Sequence, residues 1–215
     1  MEKNNFIIEN LFQVEENIRL ACEKSNRNRD EITLIAVSKT KPIDMITSAR
    51  LAGICDFGEN KVQEMCDKFE YFNSLNQSPI HWHMIGHLQT NKVKYLIGKT
   101  TLIHSVDSYK LACEIEKQAA KHDCIMDILI EVNIAEEESK FGLAEEDVIH
   151  LVKQVAELPH VRIKGLMTVA PYVVDSEQNR PFFRKIKQLS VDIDNQNIDN
   201  VSIGRKGAGL LHGVQ

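Results

Sequence analysis

The chain has 215 residues, 43% of them hydrophobic and 27% charged, with a formal net charge of -5. That length suits one domain, since a domain takes about 150 residues, and the composition excludes disordered and fibrous classes. The mild acidity offers no general attraction to nucleic acid or to an anionic membrane surface. Five cysteines (Cys22, Cys55, Cys66, Cys113, Cys124) form an odd set without a C-x-x-C pair or metal-ligand spacing, as in a reducing cytosol. The first residues lead into a charged amphipathic stretch and not a secretory apolar region, and no apolar run is long enough to span a bilayer. A cytoplasmic protein without membrane attachment is expected.

In chain order, Ile7, Leu11, Val14, Ile18 and Ala21 fall three or four apart and predict a helix, followed by an apolar β-branched strand from Ile32 to Val37. Pro42 opens the next helix, with Ile43, Ile46 and Ala49 inward and Gly53 as a stop. A strand at Cys55–Gly58, a helix over Val62–Phe72 and a strand at Ile80–Ile85 follow. Then come a strand at Leu102–Val106, a helix through Leu111, Ile115 and Ala119 capped by Asp107 or Ser108, and a strand at Ile128–Ile134. A helix through Leu143, Val148, Leu151, Val152 and Val155 precedes the strand Ile163–Val169. A last helix through Phe182, Ile186 and Leu189 precedes a seventh strand at Val201–Gly204.

Strict alternation of strand and helix, with no low-complexity linker, predicts a parallel sheet covered by helices in one domain, residues 1–215. An open dinucleotide-binding sheet should carry a glycine-rich turn after its first strand, and Ser38-Lys39-Thr40-Lys41-Pro42 stands there instead. A TIM-type (β/α) barrel is therefore favoured. Barrel sites lie at the carboxyl ends of the strands. Those ends supply Lys39; Glu59 and Asn60; His83, Gly86 and His87; Ser105 and Asp107; Asn133; Met167 and Thr168; and Ser202 and Gly204. This set suits a small polar ligand better than a polymer.

Lys39 is the most pointed of these. A lysine where an apolar strand surfaces presents one amine to a small carbonyl ligand, because desolvation favours a neutral, nucleophilic fraction. A solvated gatekeeper lysine is the commoner role of such a residue, and Lys41 beside Pro42 is read that way. His81 and His83 share a strand face and, with Asp107, define the alternative of a metal-dependent barrel hydrolase, while His87 is a further candidate ligand. Glu59 is read as a hydrogen-bonding group of the pocket wall or a helix cap, Trp82 as core, and Glu136-Glu137-Glu138 as a solvated loop.

Several strings together carry a family resemblance. Ala36-Val37-Ser38-Lys39-Thr40-Lys41-Pro42, Phe57-Gly58-Glu59-Asn60 with Gln63-Glu64, Trp82 through Lys92, Ser105-Val106-Asp107 and Gly165-Leu166-Met167-Thr168 closely resemble the pyridoxal phosphate homeostasis proteins. Their barrel is of the alanine racemase N-terminal domain kind. The resemblance implies that Lys39 forms a Schiff base with pyridoxal 5'-phosphate, that Asn60 lies beside the cofactor, and that Ser202 and Gly204 help to hold the phosphate. It further implies a monomeric, cytoplasmic binding protein of vitamin B6 homeostasis that serves pyridoxal phosphate-dependent apoenzymes. No established turnover is implied, although weak racemase-like activity is left open. A racemase needs a second acid/base group, which in alanine racemase comes from a domain this chain is too short to contain. The roles of Lys140, Phe141 and Gly142, which match a family loop, are left open.

The resemblance stops after Gly204. The family continues with Met-Ser and ends on an eighth strand bearing Arg-x-Gly-Thr, whereas residues 205–215 read as an atypical tail. Codons compatible with Gly209 to Gln215, read one nucleotide later, encode a family-like continuation. A shifted reading frame is the inference, a natural short variant the competing account, and a barrel lacking its last strand the expected outcome.

Overall fold

The computed structural model describes the chain except for residues 1, 76–78, 137–140, 202, 204–209 and 213–215, and for 2–5 and 210–212 it describes the backbone alone. The chain divides into two units, Met1–His83 and Met84–Gln215.

In the first unit the apolar repeat of the opening residues becomes α1 (Glu2–Lys24). Arg29 ties the following 3-10 turn back to α1 through two bonds to Glu15, of 2.8 and 2.7 Å. Next come β1 (Ala36–Val37), α2 (Ile43–Leu51), β2 (Asp56–Glu59), α3 (Val62–Ser74) and β3 (His81–Met84). β1 pairs β2 in parallel, Ala36 with Phe57 and Val37 with Gly58. His81 N–H donates to Cys55 O at 2.9 Å and leads β3 in beside β2. The inward face of this unit is aromatic. The Trp82 ring centroid lies 6.0 Å from that of Phe57 and 6.2 Å from that of Phe72, each at 44°, in tilted packing that favours ring edges against ring faces.

The first strand is shorter than the sequence indicates. Ile32 to Ile35 stay outside any ladder, and only Ala36 and Val37 pair. Among the described residues β1 pairs with β2 alone, so one row of its backbone groups has no neighbouring strand to extend the pairing, and Val37 is half-exposed. The apolar run Ile32–Ile35 is instead half-buried at three of its four positions.

The second unit holds β4 (Leu102–Val106), α4 (Tyr109–Lys121), β5 (Met126–Glu131), α5 (Glu145–Ala156), β6 (Val161–Thr168), α6 (Arg180–Asp194) and β7 (Leu210–His212). β4 pairs β5, β5 pairs β6 and β6 pairs β7, all in parallel and in chain order. β5 runs Ile128-Leu129-Ile130 with all three buried, the continuous apolar pattern of a parallel strand covered on both faces. Ala112, Ile115 and Ala119 of α4 and Val148, Val152 and Val155 of α5 supply helical stripes to the buried core. Of the two cap candidates it is Ser108 that accepts from Leu111 N–H, at 3.4 Å.

The expected seventh strand, Val201–Gly204, includes Ser202 and Gly204, which lie outside the described residues. Val201 forms only an isolated bridge to Ile163, and the strand that pairs β6 is Leu210–His212, against Leu166–Thr168. The leucine pair Leu210-Leu211 suits a sheet position better than the glycine-rich, charged stretch that follows Val201.

After β5 the chain turns back on itself. Leu143 N–H donates to Glu131 O and Asn133 N–H to Leu143 O, each at 2.9 Å, so Leu143 pairs beside Val132. Gly142 makes this approach with φ +109; a Cβ there would sit 2.7 Å from Asn133 N and 2.9 Å from Val132 C. Both the dihedral and the space exclude a side chain. Gly142→Ala is expected to destabilise the protein by about 2–4 kcal/mol in urea unfolding, and a change below about 0.5 kcal/mol would show that the crossing is not sterically closed.

Candidate functional site

β1 hands the chain directly to a reversal. Ser38 N–H donates to Gly58 O at 2.9 Å, and Lys41 N–H donates to Ser38 O at 2.9 Å, closing a four-residue turn with Lys39 and Thr40 at its centre. Thr40 has φ +61. A positive φ at the third position of a turn ordinarily calls for glycine, and a β-branched residue held there is strained by roughly 1–3 kcal/mol.

Side chains from β2 and α3 supply the restraint. Lys68 Nζ donates to Ser38 O at 2.7 Å, to Glu59 Oε1 at 2.7 Å and to Glu64 Oε1 at 2.8 Å, using all three of its protons. Glu64 Oε1 accepts from Thr40 N–H at 2.6 Å, and Ser38 Oγ donates to Glu59 Oε1 at 2.6 Å. Glu59 is fully buried and Lys68 is 6% exposed. Burial pushes the Glu59 carboxyl above its ordinary range despite the bonds from Lys68 and Ser38. For Glu64 burial acts in the same direction, but the bonds from Lys68 and Thr40 outweigh it and hold the carboxyl low. Of the two readings of Glu59, the pocket-wall hydrogen bond is the structural one, since α3 begins after Lys61 with no side-chain cap.

Lys39 itself is half-buried, and among the described residues its ammonium has no ion-pair partner. Two of the expected site residues follow the carboxyl ends of paired strands, Lys39 two residues after Val37 of β1 and the half-buried Asn60 directly after Glu59 of β2. The other two, Ser202 and Gly204, lie outside the described residues.

The alternative metal set is not assembled. His83 Nε2 and His81 Nδ1 lie 3.0 and 3.3 Å from one oxygen of Asp56, and Asp107 lies instead 3.7 Å from His87 Nδ1. Burial would raise the Asp56 carboxyl, yet the two imidazoles hold it low. Among the described residues no group of three or more metal-ligating side chains is gathered.

In the second unit, polar groups also mark the carboxyl ends of the strands. Ser105 Oγ donates to Gly86 O at 2.6 Å, and Thr168 Oγ1 donates to Val132 O at 2.8 Å. His87 stacks on Phe141 with centroids 4.1 Å apart, which gives the family-matched Phe141 a contact that spacing could not show. Glu131 ends β5 with the residue 8% exposed and its Oε2 without a partner among the described residues. Burial, helped by the charge of Asp107, pushes its carboxyl up to about 7.

The sequence reading passed over Lys68 and Glu131. Lys68 stands on the buried face of α3 between Met65 and Phe72, at the helical spacing of a core position, and Glu131 closes an otherwise apolar strand. A charge inside an apolar stripe was the available signal in both cases.

These features define a parallel α/β protein with an amine at the carboxyl end of its first strand that has no ion-pair partner among the described residues. The sequence profile of the alanine racemase N-terminal domain matches residues 10–206. A pyridoxal phosphate homeostasis protein of Aquifex aeolicus is 42% identical over 204 residues, 95% of this chain and 87% of the relative. The crystal structure of an unknown protein from Bifidobacterium adolescentis superposes with TM-score 0.85 at 25% identity, covering 98% of this chain and 94% of the other. PipY of Synechococcus elongatus, solved with PLP bound, superposes with TM-score 0.74 at 27% identity, covering 90% and 95%. The chain belongs to the alanine racemase N-terminal domain family, in its branch of pyridoxal phosphate homeostasis proteins.

Glu131 gives the site region a pH signature. The folded form keeps a proton that the unfolded chain releases near 4.5, so the stability this provides is full below about 4.5 and is lost as pH rises to about 7. Glu131→Gln, which imitates the protonated acid, is expected to raise the melting temperature at pH 8 by an amount corresponding to roughly 3 kcal/mol and to change little at pH 4.5. Melting temperatures that track the wild type in parallel from pH 4.5 to 8 would exclude this role.

Proposed function

We propose that this chain binds pyridoxal 5'-phosphate as a Schiff base on Lys39 and serves vitamin B6 homeostasis in the cytoplasm. The observation that carries the reading is the Lys39 amine itself, without an ion-pair partner among the described residues and standing on a backbone fixed from both sides. The PLP-bound state of PipY and the homeostasis names of the sequence relatives support the same ligand.

When bound, the cofactor supplies an aldehyde. Lys39 Nζ would hold that carbon through a carbon–nitrogen double bond, with one water released on attachment and taken up again on hydrolysis and no electron gained or lost. That reversibility suits a protein that holds a reactive aldehyde and passes it to apoenzymes. Asn60 offers a neutral donor and acceptor next to the amine. Ser202 and Gly204 are assigned the phosphate. The relatives carry the name of a homeostasis protein and not of an enzyme, which favours binding and delivery over turnover. All five cysteines are unpaired, in keeping with a reducing compartment. No described helix is long and apolar enough to cross a membrane.

Incubation with pyridoxal 5'-phosphate, reduction with borohydride and peptide mapping are expected to place a pyridoxyl group on Lys39. Lys39→Ala should lose both the adduct and the visible absorbance of the bound cofactor. A wild-type protein without the adduct, or an adduct on another lysine undiminished in Lys39→Ala, would refute the assignment.

A further inference from the structure

Lys39 is held by a grip that never touches its side chain. The carbonyl just before it, Ser38 O, receives the Lys68 ammonium, and the amide just after it, Thr40 N–H, is taken by the Glu64 carboxylate. The two gripping groups are joined to each other at 2.8 Å and sit one helical turn apart on α3. Glu59 anchors the same ammonium from β2, at 2.7 Å.

Stability alone gives little reason for this arrangement. Burying an ammonium with carboxylates seldom stabilises a fold more than well-packed apolar side chains would, and Lys68 occupies a core position of α3 between Met65 and Phe72. What the ion pairs accomplish that an apolar residue could not is to fix two backbone groups of one turn. The turn requires it, because Thr40 at φ +61 is a β-branched residue in the left-handed region and would relax if released. Relaxation would redirect the Cα–Cβ bond of the residue before it, and a bond-forming amine tolerates little misplacement.

We infer that Lys68, together with Glu64, is a positioning residue for the Lys39 amine, acting through the backbone on either side of it; the inference rests on Lys39 being the attachment point. Lys68 spends its three protons on Ser38, Glu59 and Glu64 and has none left for a cofactor phosphate. Its role is therefore separate from ligand contact.

Three substitutions separate positioning from general damage. Glu64→Ala frees the Thr40 amide while leaving the Lys68–Glu59 pair in place, Lys68→Met removes the hold on the Ser38 carbonyl together with the anchor to Glu59, and Thr40→Gly removes the strain that the grip restrains. In titrations with pyridoxal 5'-phosphate followed by borohydride trapping, Glu64→Ala and Lys68→Met are expected to weaken adduct formation at least about tenfold. Adding Thr40→Gly to either should recover affinity to within about threefold of wild type, a coupling that a double-mutant cycle measures directly. Without any cofactor, hydrogen exchange at the Thr40 amide should be at least about tenfold faster in Glu64→Ala than in wild type. Wild-type affinity and exchange in folded Glu64→Ala would overturn the inference, and so would a loss that Thr40→Gly does not restore. Should Lys68→Met fail to fold, Glu64→Ala and its Thr40→Gly double variant decide the matter. A wild-type protein lacking the Lys39 adduct would sink the attachment point instead, and the exchange measurement would still test the grip.

Discussion

A single buried ammonium organises the first unit. Lys68 draws a β1-to-α2 turn, the end of β2 and the first turn of α3 onto one nitrogen, through bonds of 2.7, 2.7 and 2.8 Å. Its partners are two carboxylates and a backbone carbonyl, so the charge is compensated and every proton is used, the condition under which a buried ion is tolerated. Removing one member of such a group leaves an uncompensated charge in the interior, a loss of roughly 3–5 kcal/mol. The aromatic cluster of Phe57, Phe72 and Trp82 draws on β2 and α3 as well, so apolar packing and ionic restraint fall on the same strand and helix.

The two lysines at this corner divide the work by environment. Lys68 is buried and fully bonded, while Lys39 is half-buried and among the described residues has no ion-pair partner.

Where sequence periodicity met backbone periodicity, the reading was close. Leu102–Val106 is β4 to the residue, and the cap at Ser108 follows from a serine before a helical stripe. It strained where tertiary contacts decide the outcome. Ile32–Ile35 has the composition of a strand but no ladder, because pairing depends on a neighbour that composition does not reveal. The strand at Leu210–His212 was not read for the same reason, since its pairing with β6 is a tertiary contact. At the candidate site, Lys39 and Asn60 were singled out from ordered motifs alone. Lys68 was not, since a lysine is read as solvent-facing until the carboxylates that neutralise it are seen in space, 4 and 9 residues away in sequence.

The brevity of β1 also shapes how substitutions are felt along this chain. A strand of two residues paired on one side contributes few ladder bonds, so exchanging Ala36 or Val37 for another β-forming residue disturbs little that locates the turn. The positions that locate it are 59, 64 and 68, on other elements. Tolerance to change around Lys39 is therefore discontinuous in sequence: permissive immediately upstream, where the chain is nearest the amine, and strict in a helix that begins more than twenty residues later.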